Sequence, residues 1–198
     1  MARIIGITGG IASGKSTVTE FLRQQGYQVI DADQVVHELQ EPGERLYQAL
    51  LSTFGSTILQ EDGRLDRPKL GAMIFGNPEL LAQSSQIQNQ IIREELARRR
   101  ELLAETEDIF FMDIPLLFEL SYENWFDQIW LVDVIEETQL SRLMSRNALS
   151  QEEAEKRIAA QLSLKEKRKR ADVLIDNNGS LEDTRRQIRD ALQKLERG

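Results

Sequence analysis

Along the 198-residue chain, apolar residues gather in five short runs, separated by longer stretches where they recur every three or four positions. The runs are Arg3-Ile4-Ile5-Gly6-Ile7-Thr8, Tyr27–Asp31, Asp108–Asp113, Gln128–Val134 and Asp172–Asp176. Each is apolar enough to be covered on both faces, which predicts strands of a parallel sheet. Helical spacing fills the intervals, as in Thr17–Gln25, where Val18, Phe21 and Leu22 share a face before Gly26 ends it. Strand–helix alternation of this kind predicts an α/β fold: a five-stranded parallel sheet flanked by helices.

One interval breaks the rhythm. From Pro42-Gly43 to Glu107 there is no strand pattern, only helical periodicity interrupted by Asp62-Gly63 and by Asn77-Pro78, the latter suited to an N-cap with proline in the first turn. That is too long for a simple crossover, so a helical insertion beside the sheet is expected. Ser150 with Glu153, and Ser180 with Asp183, have the spacing of capping boxes for the last helices. The expected organisation is one unit, with a core of residues 1–41 and 107–198, an insertion over about 42–106 and a lid over about 142–170.

In parallel sheets ligands bind beyond the carboxyl ends of the strands, so the residues after each run carry the candidate chemistry. After the first run, Gly9-Gly10-Ile11-Ala12-Ser13-Gly14-Lys15-Ser16 matches G-x-x-x-x-G-K-[ST] between a strand and a helix, the context this phosphate-binding P-loop needs. Glycines let the backbone wrap an anion, so that N–H groups and the positive end of the next helix, from Thr17 on, face a β-phosphate. Lys15 can follow the β- and γ-phosphates, and the Ser16 hydroxyl is placed to ligate Mg²⁺. A nucleoside triphosphate is therefore the expected ligand.

The second run ends in Asp31-Ala32-Asp33, two carboxylates where an acceptor hydroxyl would face the γ-phosphate. Asp31 has two readings, Mg²⁺ through water or simply the end of the strand. Asp113 closes the third run, the place of a Walker-B-type acid. Arg142 and Arg146, four apart on the helix after the fourth run, can project from one face as lid arginines, with Arg157 and Gln161 extending that surface.

From these residues onward the chain resembles the dephospho-coenzyme A kinases. Ile7 to Thr17, Val29 to Asp33, Pro42-Gly43, Phe54-Gly55, Asp62 to Arg67, Asp113-Ile114-Pro115-Leu116-Leu117-Phe118-Glu119 and Ile175 to Gly179 carry the resemblance. It implies a P-loop core with a helical substrate domain and a lid, and transfer of the ATP γ-phosphoryl group to the ribose 3′-hydroxyl of dephospho-coenzyme A. It also implies Asp33 as the catalytic carboxylate and Asn177 and Asn178 near the adenine. On the acceptor side it implies Thr8, Arg67 and the wall of Pro115, Leu116 and Phe118, an assignment that competes with the Walker-B reading of Asp113. One departure stands out: Asn89-Gln90 occupies the place of a His-Pro pair common in the family. Another small-molecule kinase, or a nucleotide-switch protein, is the alternative; the chain carries no Asn-Lys-x-Asp guanine motif.

Composition narrows this further. Without cysteine there is no disulfide, thiol nucleophile or thiolate metal site. A net charge of −8, from 33 acidic and 25 basic residues, argues against a dedicated nucleic-acid binder. No 18-residue apolar run occurs, and the chain enters its first strand without a leader pattern, so a cytoplasmic protein with no membrane partner is expected, as a monomer or a small homo-oligomer. Arg98-Arg99-Arg100 reads as a solvated helix face, whereas Lys165–Arg170 either holds phosphates or solvates the lid's base. His37, the only histidine, and Trp125 and Trp130 read as structural.

Overall fold

The computed structural model describes residues 2–197. β1 (Arg3–Gly9) leads into α1 (Lys15–Gln24), β2 (Gln28–Asp31) and α2 (Ala32–Leu39), and then come α3 (Arg45–Phe54), α4 (Arg67–Phe75) and the long α5 (Pro78–Thr106). β3 (Ile109–Asp113), β4 (Gln128–Asp133), α6 (Glu136–Asn147), α7 (Gln151–Ala159), α8 (Leu164–Arg170), β5 (Val173–Asp176) and α9 (Leu181–Arg197) follow. The five strands form one sheet in the order β2-β3-β1-β4-β5. The pairs β1–β3, β1–β4 and β4–β5 are parallel.

β2, β3 and β5 begin one residue inside their apolar runs, and at the amino edge of the sheet acidic side chains bond the strands. Asp172 Oδ2 accepts the Ile129 N–H at 2.8 Å and Asp127 Oδ2 accepts that of Ile4 at 2.7 Å, so these carboxylates stand in for strand partners at the sheet's amino edge. α1 starts earlier than its apolar spacing indicates, at Lys15, because Gly14 takes the left-handed conformation and turns the chain directly into the helix.

The chain divides into two compact units, one of residues up to Ile30 with those from Leu103 onward, the other of Asp31–Leu102. In the first, Ile5, Ile7, Phe111, Trp130 and Val132 of the sheet pack with Val18 and Leu22 of α1 and with Ile188, Leu192 and Leu195 of α9. Phe111 lies edge-on between Tyr27 and Trp130, with ring centroids 5.4 and 5.3 Å away. The sheet register does the positioning: Ile7 pairs with Asp113, Gly9 with Val132 and Asp133 with Asp176, which aligns four carboxyl ends on one edge. β1 is central, with β3 and β2 to one side and β4 and β5 to the other, so the loop after it lies at the switch point of the sheet.

The second unit is helical. Leu46, Tyr47 and Leu50 of α3 are buried, as are Ile58, Leu65, Leu70 and Ile74. The Tyr47 hydroxyl donates to the Gly63 carbonyl at 2.8 Å, fixing the Asp62-Gly63 turn. Asp66 caps α4 by accepting the Lys69 N–H, and Asn77 caps α5 by accepting those of Glu79 and Leu80. Arg98 and Arg99 are not simply solvated: both donate to Glu95, and Arg99 reaches Glu38 as well. Arg98 first, then Arg99, hold the Glu95 carboxyl down at about 2 despite its burial.

Because its folded value lies below the ordinary 4.5, Glu95 adds stability that is complete above about pH 4.5 and lost as the pH falls toward 2. Glu95→Gln is therefore expected to lower the unfolding free energy at pH 7 by roughly 2 kcal/mol, allowing for the solvent around Arg98. Urea titrations at pH 7, 4 and 2.5 should show that difference shrinking with acidity; a difference independent of pH contradicts the ion-paired network.

Candidate active site

The carboxyl edge of the sheet begins with β1 running into a loop that cannot fold by itself. Ala12 and Gly14 both have positive φ, 60° and 89°, and a non-glycine residue held there costs of order 1 kcal/mol or more. Gly14 is the N-cap of α1 and carries no capping side chain, so although the Thr17 N–H bonds the Gly14 carbonyl at 3.1 Å, no side chain occupies the helix N-terminus where an anion would bind. Around the loop, side chains distant in sequence bind its other polar atoms. Asn177 Nδ2 donates to Ser13 O at 2.8 Å, Gln139 Nε2 donates to Ile11 O at 2.9 Å, and Gln161 Oε1 accepts the Ile11 N–H at 3.0 Å.

Lys15, first in α1, points its ammonium to within 3.5 Å of Asp113 Oδ1 at the end of β3. Ser16 is exposed, and an open groove of about 650 Å³ passes over it, bordered by Ala12, Gly14 and Thr17, by Arg142 and Arg146 of α6, and by Asn177 and Gly179 after β5. Arg142 is held there by a 2.9 Å bond to the Asn177 carbonyl, and Arg146 bonds Asn147. Loop residues, the two arginines and the residues after β5 thus line one basin in the first unit.

Several of the expected site residues have partners within the protein. Thr8 is fully buried and donates to Pro115 O at 3.1 Å, so it ties β1 to the loop after β3 rather than facing an acceptor. Phe118 is buried under the Arg170 guanidinium, 4.6 Å from its ring centroid, leaving Pro115 and Leu116 as the more exposed part of the apolar wall. Asn177 turns its side-chain amide to Ser13 and accepts from Thr184 Oγ1 at 2.9 Å, so it shapes the loop instead of offering that amide to a base. Asn178 accepts the Ile135 N–H.

In the second unit, Asp31 Oδ1 accepts the N–H groups of Asp33 and Gln34 and is the N-cap of α2. Asp33 lies in the exposed first turn and is not the cap. Arg67 begins α4, donates to Gln40 Oε1 at 2.8 Å and borders a cavity of about 300 Å³ with Arg64, Glu41 and Pro42. Asn89 and Gln90 are exposed on α5, and His37 is exposed near the end of α2.

Sequence reasoning did not find Gln139, Thr184 or the buried pair Lys167–Glu119, whose atoms are 2.9 Å apart. Nor is Gln161 part of a cationic surface with Arg157. In α8 three more basic side chains have acidic partners: Arg168 pairs with Asp133, Lys169 with Glu166 and Arg170 with Glu123. The spacing of Lys167 gave no signal, since Lys167 is three and Arg168 four residues after Leu164 and both share its face.

A parallel sheet carrying a G-x-x-x-x-G-K-S loop at its central strand, a lysine beside a strand-end acid and arginines across the groove define a P-loop nucleotide-binding protein. A model of the dephospho-CoA kinase family matches residues 3–183. The chain is 60% identical over 196 residues to the dephospho-CoA kinase of Streptococcus mutans, covering 99% of each. To that of Streptococcus agalactiae it is 59% identical over 195 residues, covering 98% of this chain and 100% of the relative. The crystal structure of TT1252 from Thermus thermophilus matches with a TM-score of 0.82 at 37% identity, and the dephospho-CoA kinase from Campylobacter jejuni with 0.76 at 30%, each over 98% of both chains. A shikimate kinase from Aquifex aeolicus, at 0.52 and 16%, shares the fold alone. The chain belongs to the dephospho-CoA kinase family, whose members are ATP-dependent kinases.

A Cβ on Gly14 would stand 2.1 Å from Asn177 Nδ2, in a backbone conformation already unfavourable to alanine. Gly14→Ala is expected to weaken ADP binding at least about tenfold. In a double-mutant cycle with Asn177→Ala the losses should be less than additive, because the second substitution removes the clash. Additive losses in the titrations would place the clash elsewhere.

Proposed function

We propose that the chain transfers the ATP γ-phosphoryl group to the ribose 3′-hydroxyl of 3′-dephospho-CoA, giving CoA and ADP. The observation that carries this reading is an intact phosphate loop, with Lys15 set 3.5 Å from Asp113, in a chain whose residues 3–183 match the family throughout. ATP is taken to lie in the groove between the loop and α6. Loop N–H groups and Lys15 hold the β- and γ-phosphates, and Arg142 and Arg146 meet the charge on the transferring group.

Asp33, exposed and free of the capping role that Asp31 fills, is proposed to accept a hydrogen bond from the 3′-hydroxyl. The acceptor oxygen then bonds to Pγ as the bond from Pγ to the β,γ-bridging oxygen breaks. The hydroxyl proton leaves late in so loose a transition state and passes to the Asp33 carboxylate, whose main task is to position the oxygen. Residues of about 42–106, Arg67 among them, are proposed to bind the acceptor, as are Pro115 and Leu116, and about 142–170 to act as a lid.

Mg²⁺ fits the donors present. Ser16 offers an exposed hydroxyl and Asp113 a carboxylate, hard oxygens that suit an ion keeping most of its water, and no cluster of three acidic or imidazole groups able to cage a metal exists among the described residues. Bound there, the ion would neutralise phosphate charge; Asp31, committed to capping α2, is the weaker candidate. No described helix is long and apolar enough to cross a membrane. We place the enzyme in the cytoplasm.

The test is ADP release with magnesium and ATP, comparing dephospho-CoA with adenosine, AMP, shikimate and buffer. Turnover specific to dephospho-CoA is expected, and Asp33→Asn should lower kcat at least about 100-fold with the KM for ATP within about threefold. Equal turnover of another acceptor removes the substrate assignment, and an unimpaired Asp33→Asn removes the assigned carboxylate.

A further inference from the structure

The first unit contains one fully buried lysine that the mechanism above does not use. Lys167, in α8, is 0% exposed, and its ammonium lies 2.9 Å from Glu119 Oε1 and 3.4 Å from both Gly9 O and Pro115 O. Three acceptors thus meet its three N–H donors. Glu119 Oε1 also accepts the Leu162 N–H at 3.0 Å, and Gln161, next to it, accepts the Ile11 N–H. Gln161 in the turn between α7 and α8 and Lys167 within α8 therefore reach the phosphate loop at two points, Ile11 and Gly9, and Glu119 holds both the turn and the lysine from the segment after β3.

We propose that Lys167, together with Glu119 and Gln161, is a positioning group for phosphoryl transfer: a buried clamp that sets the first peptides of the phosphate loop from behind. The inference rests on the reading of that loop as the ATP site. Buried as it is, the ammonium cannot serve as a phosphate ligand and acts through Gly9. In a planar trans peptide the carbonyl and the next N–H point in opposite directions, so holding Gly9 O toward Lys167 sets the direction of the Gly10 N–H. Gly9 and Ile11 bracket the turn into Ala12, whose left-handed backbone needs such support. Misplacement of a reacting group by about 1 Å can cost about 100-fold in rate, so a clamp remote from the phosphates can still govern turnover.

A structural role and a positioning role separate in a double substitution. Removing one partner of a buried ion pair strands the other charge, whereas replacing both by apolar side chains can leave stability intact. Lys167→Met and Glu119→Leu singly are expected to melt about 10 °C below wild type, and the double variant near wild type. The double variant should nonetheless bind ADP at least about tenfold more weakly and show kcat reduced about tenfold or more, with the KM for dephospho-CoA within about twofold. A double variant with wild-type melting, ADP affinity and kcat overturns the proposal. Should it fail to fold, Gln161→Leu at a half-buried site decides: a rise in the ADP dissociation constant of about threefold or more supports the clamp, and an unchanged constant overturns it. ADP titration contains no acceptor, so failure there is independent of the substrate. Conversely, ATP-binding variants that behave as expected in a protein inactive on dephospho-CoA would remove only the substrate reading.

Discussion

A loop that binds phosphate through its own N–H groups must hold its peptides in fixed directions, and side chains from distant parts of the first unit serve that constraint. Four polar atoms of the loop are bound from outside: Gly9 O by Lys167, Ile11 O by Gln139, Ile11 N–H by Gln161 and Ser13 O by Asn177. Because each peptide is planar, a carbonyl fixed outward sets the direction of the following N–H. Ser13 O held by Asn177 thus orients the Gly14 N–H at the threshold of α1. Electrostatic catalysis depends on dipoles aligned before the reaction starts, and these side chains supply that alignment.

What could be foreseen from the sequence follows from the range of the interactions involved. The strands were legible because each apolar run carries its own signal, and so were the caps at Asn77, Ser150 and Ser180, where the partners are two or three residues apart. The phosphate loop was legible for the same reason, since its eight positions are contiguous. Its supports were not: Asn177 is 164 positions from Ser13, Lys167 158 from Gly9 and Gln161 150 from Ile11. Nothing local distinguishes Lys167 from the basic residues beside it until the sheet order brings α8 behind the loop. Thr8 and Phe118 show the converse, residues within informative motifs whose side chains turn inward to hold the backbone that carries the motif.

Charge is organised in the same spirit. A chain with a net charge of −8 still assembles cationic groups beside a polyanion site, while many of its other basic side chains are neutralised locally. In α8, Arg168, Lys169 and Arg170 each meet an acid, and in the helical unit Arg98 and Arg99 meet Glu95. Arg142 and Arg146 differ in bonding to neutral groups, a carbonyl and an amide oxygen. Such bonds hold a guanidinium in place without cancelling its charge, which is what a site for a triphosphate requires.

The Lys167–Glu119 pair raises the question of why an ionic contact is kept where apolar packing would be as stable. An apolar side chain in the place of Lys167 could fill the volume but could not bond to Gly9 O, Pro115 O and a carboxylate at once. Dispersion contacts tolerate small sliding, whereas a charged donor shared among three acceptors fixes both distance and direction. Placed behind a loop that includes a left-handed alanine and a left-handed glycine, that directionality offsets the loop's tendency to relax. The pair also joins three elements that come together only in the folded sheet: the phosphate loop, the segment after β3 and the start of α8. The geometry of the phosphate site therefore depends on the assembled sheet edge as much as on the motif itself.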